Sequence, residues 1–600
     1  MQPGHAATHF LDSRMPRGPG LWRLLVLGSL LISSCRAIPQ NGRETPVTSQ
    51  AVKPERNAAF TRAEVAPSAL RAGEGPRRIS EVAQMHEGME AFTARVALAR
   101  FARQSLDMQY YIWDGDQTGT YLLSELIEAA DRGVRVRLLL DDITSRGIVD
   151  GMLQQLASAA RAATADLEDT LAEITPDDLE RKDRIRDLMD EIHTGGRDLI
   201  AAALDTHPNI EVRMFNAFNS RRRSGVGRAF QFLADFSRLN RRMHNKVFAA
   251  DNQIAIVGGR NIADNYFGLH EKYDFRDLDL MVSGPVVNDV SESFDLYWNS
   301  EWAVPVHAFA MKRRSEQRLA GLRKELTDAF QWEKHERLKE LESDVETTKA
   351  LHRITARMVK APVRVVADLP GKVHKPTGEP LVAEALAAQA RGSKKEILVE
   401  SAYFVPVNVT FENMHERIDH GVHVCVLTNS MASTNQMPAH AGYAKHRKRL
   451  LETGVALYEL RPYPLGDTTE DWKHRGPRTV LHTKAVVFDR EQVFVGTFNL
   501  DPRSADLNTE IGLMVENKKL AGEVAAFMEG GMQPERSWRL SLGNPTKVKQ
   551  NGGHVHGSGP VCWCGDETEK RSVLRREPET RWGSRLLMRL VSWLPIDEML

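Results

Sequence analysis

Two stretches of this 600-residue chain carry the same reactive groups at the same spacing. The first holds His244, Lys246 and Asp251; the second holds His482, Lys484 and Asp489, both in the form His-x-Lys-x4-Asp. Each is followed by a Gly-x-x-Asn tetrad, ending at Asn261 and Asn499, and then by a Leu-Met-Val run. An acidic residue, Asp277 or Glu510, stands three positions before the leucine of that run. One such pattern is weak evidence; two with matching flanks are an internal duplication. Paired histidines, lysines and asparagines around one cavity suit a phosphodiester. Lysine ammonium groups and the amides of Asn261 and Asn499 neutralise and hold the non-bridging oxygens. One histidine attacks phosphorus and becomes a phosphohistidine. The other protonates the departing alcohol and later deprotonates the acceptor. Asp277 and Glu510 can each accept a ring N–H and fix a histidine tautomer. Asp251 and Asp489 stand at odd spacing from the histidines, so they point away from the phosphate and brace the hairpin ends. The side chains supply the positive charge, so no metal and no cofactor is expected.

The elements that must position these groups follow from the pattern. Residues two apart on a strand share a face, so each His and its Lys project together. Apolar runs at 247–250 and 485–488 continue inward, turn residues follow at Asp251-Asn252 and Asp489-Arg490-Glu491, and Ile254–Val257 and Gln492–Val495 run back. The return strand delivers the tetrad beside the His and Lys, where glycine would let backbone N–H groups approach an anion. Upstream, both halves read strand, helix, Gly, strand: 106–111, 121–132, Gly133 and 134–140, then 397–403, 411–420, Gly421 and 422–428. That is a βαβ signature. The fold expectation is therefore α/β, with two lobes related by pseudo-twofold symmetry, each a mixed sheet flanked by helices, and both histidines facing one cleft.

With these motifs the chain resembles the phospholipase D superfamily, and within it the bacterial cardiolipin synthase group, especially the C-type synthases. Segments that carry the narrower resemblance include Tyr110-Tyr-Ile-Trp113, Phe275-Arg-Asp-Leu-Asp279, Tyr403-Phe-Val-Pro406, His440-Ala-Gly-Tyr443 and Leu594-Pro-Ile596. The resemblance implies transfer of a phosphatidyl group to a second lipid alcohol, commonly phosphatidylglycerol, at a membrane surface, with His244 as nucleophile. Two other readings stay open: a phosphodiesterase that hydrolyses phospholipid or nucleic acid with the same residues, and a non-catalytic lipid-binding lipoprotein.

Lys plus Arg and Asp plus Glu both number 80, a formal net charge of zero, which argues against a binder dominated by nucleic-acid phosphates. A basic patch at 221–228, with Arg241 and Arg242 near the first histidine, could hold lipid headgroups. Residues 1–35 read as an export signal: Arg17 and Arg23, an apolar run too short to span a bilayer, and small residues before Cys35 that resemble a bacterial lipobox. The expected location is the exported side of a bacterial envelope, with Cys35 lipidated. Residues 36–84 read as a flexible tether, 85–310 as the first lobe with a helical insertion at 157–198, and 311–360 as a charged helical connection. The second lobe spans 361–540, and 541–600 reads as a hairpin followed by an amphipathic segment. His554, His556, Cys562 and Cys564 are spaced poorly for a tetrahedral zinc site and fit a strand better. The stretch from Trp582 to Leu594 suits either an interfacial helix or one docked on the core.

Overall fold

The computed structural model describes residues 48–53, 77–142, 201, 203–218, 235–309, 319–324, 336–373, 380–465, 476–543, 559–565 and 573–592. Cys35, the 157–198 insertion, the 221–228 patch, His554, His556 and Leu594–Ile596 lie outside them.

Strands of the first half are β1 (Arg78–Met85), β2 (Ser105–Tyr110), β3 (Arg135–Asp141), β4 (Ile210–Phe215), β5 (Val247–Ala250), β6 (Ile254–Gly258), β7 (Tyr273–Arg276), β8 (Asp279–Ser283) and β9 (Ala303–Pro305). The second half supplies β10 (Val359–Ala367), β11 (Glu396–Ser401), β12 (His423–Asn429), β13 (Ala456–Leu460), β14 (Arg478–Leu481), β15 (Lys484–Phe488), β16 (Gln492–Gly496) and β17 (Ile511–Glu516). It ends with β18 (Ser537–Leu542), β19 (Val561–Cys564) and β20 (Val573–Leu574). Lobe 1 is ordered β9-β4-β3-β2-β5-β6-β8-β1. Lobe 2 repeats that order as β18-β13-β12-β11-β15-β16-β17-β10, extended by β19 and β20. The βαβ units are present, with β2–β3 and β11–β12 parallel and helices Gln117–Asp131 and Asn408–Asp419 as their crossovers.

The halves do not merely pack. β1 pairs antiparallel with β10, and this joins both lobes into one 18-stranded sheet. The strand at 78–85 corrects the tether expectation for 36–84. Val82 and Met85 are buried, and apolar burial outweighs the cost of ordering this backbone. Residues 48–53 are also docked: Ser49 N–H donates to Asn299, Ala51 N–H to Asp295, and Arg137 donates to the Ser49 carbonyl.

Period-two alternation splits each hairpin between two cores. Val247 and Ala249 join Ala485 and Val487 in an apolar cluster common to both lobes. Phe248 and Ala250 face a cluster of lobe 1, while Val486 and Phe488 face one of lobe 2. Within the charged helical connection, helix Asp344–Ala356 buries Thr347, Ala350, Leu351 and Ile354. Arg100 ties it down by donating to the Leu341 carbonyl and the Glu125 carboxylate. In the last hairpin Cys562 and Cys564 sit on β19 paired with β20, and Cys564 contacts Ser541.

Candidate active site

Both hairpins turn on non-glycine residues in the left-handed region. Asp251 and Asn252 have φ of 52° each, and Asp489 and Arg490 have φ of 54° and 53°. Positive φ at both central positions matches the right-handed twist of the flanking strands. The aspartates hold these turns against the start of the neighbouring strand. Asp251 accepts from the backbone N–H of Arg103, Gln104 and Ser105 at 2.8 to 3.1 Å. Asp489 accepts from Lys394, Lys395 and Glu396 at 2.7 to 3.1 Å. They lie at the hairpin end opposite the histidines.

His244 and His482 stand just before β5 and β15, on segments that cross to the other lobe. His244 N–H donates to the Thr509 carbonyl, and Thr509 N–H to the Arg242 carbonyl. His482 and Thr483 N–H both donate to the Arg276 carbonyl, continuing the parallel pairing of β14 with β7. These crossings carry each histidine to the acidic residue of the opposite half. His244 Nδ1 lies 2.8 Å from Glu510 Oε2, and His482 Nδ1 lies 2.6 Å from Asp277 Oδ2. A ring that donates Nδ1–H to a carboxylate keeps Nε2 for chemistry.

The lysines fold back onto their own motifs, Lys246 Nζ donating to the His244 carbonyl at 2.7 Å and Lys484 Nζ to the His482 carbonyl. Lys246 Nζ sits 5.5 Å from the Tyr111 ring and Lys484 Nζ 5.9 Å from the Tyr403 ring, two cation–π contacts related by the pseudo-symmetry. Burial is the main influence on every charge here. It holds both histidines well below the usual imidazole range, and Lys246 and Lys484 add to that effect on each of them. It also lowers Lys246 to about 7 and Lys484 to about 8. Glu510 is pushed up to about 7, and Asp277 also rises. Because each lysine acts on both histidines, the two motifs form one electrostatic unit.

Glycine at the tetrads is required by close packing. A Cβ on Gly258 would fall 2.2 Å from Asp279 Oδ1, one on Gly259 2.1 Å from Asp277 Oδ1, and one on Gly496 2.4 Å from the Ile511 carbonyl. The asparagines differ from each other. Asn261 donates to the Tyr266 hydroxyl at 2.8 Å and accepts from Ile112 N–H. Asn499 Oδ1 is buried without a hydrogen-bond partner. Tyr266 is a site residue that motif reading missed. Its hydroxyl lies 3.5 Å from His482 Nε2, and its ring meets that imidazole edge-on, while Phe275 stacks on it. The available signal was its position five residues after Asn261; the same offset from Asn499 gives Ser504. Tyr111 and Tyr403 had a signal too, each lying at the end of the first strand of a βαβ unit. Arg241 and Arg242 do not form a headgroup patch. Both are buried, Arg241 donating to the Lys372 and Asp506 carbonyls and Arg242 facing Asp141. Among the described residues, no group of acidic, His and Cys side chains is arranged to hold a metal ion.

Comparison with known proteins extends these observations. A family profile described as "Cardiolipin synthase, PLD-like domain" matches residues 96–298 and 386–530. Cardiolipin synthase C of Escherichia coli K12 is 34% identical over 528 residues, covering 86% of this chain and 95% of that protein. An uncharacterized protein of Helicobacter pylori J99 is 30% identical over 472 residues, covering 76% of this chain and 80% of its own length. The crystal structure of phosphatidylserine synthase from Haemophilus influenzae Rd KW20 aligns with 77% of this chain and 89% of its own at 14% identity and a TM-score of 0.44.

Proposed function

Since the chain belongs to the cardiolipin synthase family of phospholipase D-like enzymes, we propose that it transfers a phosphatidyl group between lipid alcohols, with phosphatidylglycerol as donor and acceptor, through a phosphohistidine. The observation that carries this reading is the reciprocal pairing of two buried histidines with carboxylates of the opposite lobe, beside two buried lysines.

His244 is the nucleophile in this reading. The acid role suits His482, whose Nε2 already has the Tyr266 hydroxyl beside it. Burial keeps His244 neutral, so its Nε2 lone pair attacks phosphorus, the phosphorus–oxygen bond to the first alcohol breaks, and the His482 imidazolium protonates that oxygen. The entering phosphodiester anion offsets the two ammonium groups and favours a protonated His482. In the second step neutral His482 removes the proton of the incoming alcohol, which attacks phosphorus and releases His244. Lys246, Lys484 and the Asn499 side-chain N–H hold the non-bridging oxygens as charge develops. Glu510 and Asp277 fix the two tautomers.

The test is lipid product analysis with pure protein and phosphatidylglycerol, in excess chelator. Cardiolipin and glycerol as products, with covalent phosphate label on the His244 peptide, are expected. Phosphatidic acid as the sole lipid product would replace transfer by hydrolysis, and label at His482 would reverse the two roles.

A further inference from the structure

Helix Trp582–Ser592 is apolar on both sides. Its inner face rests on helix Met437–Ala444, with Val591 buried. Its outer face is not covered: Trp582, Leu586 and Leu590, spaced four apart, are 72%, 50% and 55% exposed. At 100° per residue these three form one stripe, and Arg585 and Arg589 lie along one flank of it. The net charge here is positive. Residues 573–592 contain Arg575, Arg576, Arg581, Arg585 and Arg589 against Glu577 and Glu579, and Glu577 is spent on the buried Arg447. Soluble surfaces scatter single apolar residues; a tryptophan-led stripe edged by arginines is different. The supporting helix Met437–Ala444 contributes His440 and Tyr443 to a recess that also contains Tyr403, the tyrosine facing Lys484. Four and six residues beyond Tyr403, Val407 and Val409 are 43% and 58% exposed.

We propose that the outer face of helix Trp582–Ser592 is the surface by which the folded enzyme docks on an anionic phospholipid bilayer. Trp582, Leu586 and Leu590 enter the headgroup–acyl boundary, and Arg585 and Arg589 contact lipid phosphates. Tryptophan suits that boundary because its ring is apolar and its N–H stays in the wet layer. The helix needs no length to span: among the described residues no helix is long and apolar enough to cross a membrane. Docking here brings helix Met437–Ala444, which lines the recess beside Tyr403, close to the lipid source, so this inference adds a surface to the phospholipid reading and rests on it only for the expected effect on turnover.

Hydrogen exchange of the full chain, with and without phosphatidylglycerol–phosphatidylethanolamine vesicles, reads the helix directly. Exchange over 582–592 should slow at least tenfold with these vesicles and much less with phosphatidylcholine vesicles. The His482→Ala chain should show the same protection, which separates docking from catalysis. Replacing Trp582, Leu586 and Leu590 together by Ser should lower turnover on vesicles about tenfold and leave turnover of a dispersed short-chain lipid unchanged. Arg585→Gln with Arg589→Gln should remove the preference for anionic vesicles. Unchanged exchange in the presence of vesicles would overturn the proposal. So would equal protection from raising protein concentration alone, which would assign the stripe to a second copy, and so would equal loss of turnover on both substrates.

Discussion

The two lobes repeat one scaffold and differ in how they commit their polar groups. Asp251 and Asp489 do the same work at equivalent turns, and Tyr111 and Tyr403 stand over equivalent lysines. After the tetrads the lobes diverge. In lobe 1 Asp264 accepts from Thr118 N–H while Asp116 accepts from Asp264 N–H, which locks the short turn that presents Tyr266. Asn261 is used up in that lock. In lobe 2 Ser504 replaces the tyrosine, its backbone N–H donating to Asp501 and its hydroxyl accepting from the Asn499 backbone N–H, while Asn499 Oδ1 has no hydrogen-bond partner. Duplication thus supplied two copies of one scaffold, and divergence of a few loop residues makes them unequal.

The most severe break should come from the histidines. His244→Ala and His482→Ala should each lower kcat by about 10⁴-fold or more, because neither half holds both a nucleophile and an acid. Single-turnover assays sharpen the comparison. His482→Ala should still accept label from a substrate with a good leaving group, whereas His244→Ala should accept none. Label trapped equally by both variants would erase the proposed inequality.

Next come the crossed carboxylates. Glu510→Gln and Asp277→Asn should each reduce kcat by about 10² to 10⁴-fold, as for other carboxylates that hold a catalytic imidazole. The defect should belong to the histidine of the opposite lobe: Glu510→Gln should suppress formation of the phosphohistidine, and Asp277→Asn should suppress protonation of a poor leaving group. Identical responses to leaving-group pKa in the two variants would refute that division.

The pH profile tests the lysines. A lowered lysine pKa means that positive charge is present at low pH and lost as pH rises through the folded value. With Lys246 at about 7 and Lys484 at about 8, kcat/KM should fall on the alkaline side between those values. The nucleophile His244, held well below 6.5, remains neutral on the acidic side until the pH is well below that value. Lys246→Arg should move the alkaline limb upward at some cost in plateau rate, since a guanidinium stays charged but fits differently. An alkaline limb unmoved by that substitution would assign the titration to another group.

Smaller effects separate the asparagines and the aspartates. Asn499→Ala should raise KM with little change in thermal stability. Asn261→Ala should destabilise the fold by about 1 to 2 kcal/mol through Tyr266, detectable as a lower Tm. Asp251→Ala strands three backbone donors beside a fully buried site and should cost on the order of 3 kcal/mol; Asp489→Ala, at a partly exposed turn, should cost on the order of 1 kcal/mol. Neither aspartate variant should change kcat of the folded fraction. A larger loss of kcat than of stability at Asp251 would move it into the chemistry.

Local patterns in the sequence were enough to establish the strands of the motifs, the hairpins, the βαβ units and the two-lobe architecture. Period-two burial and turn residues act between neighbours in the chain, and those neighbours are written side by side. The same locality made the six motif residues and the acidic pair legible. What the sequence could not specify was partnership across large separations: His244 with Glu510 over 266 residues, and His482 with Asp277 over 205. That pairing depends on β7 lying beside β14, on the Met243–Thr509 bridge and on β1 joining β10 across the lobes. The commitment of Asn261 to Tyr266, the burial of Arg241 and Arg242, and the outward stripe of helix Trp582–Ser592 have the same origin. Side-chain spacing rules hold within one element, whereas the partner an element meets is decided when the shared apolar core closes and brings distant backbone into register.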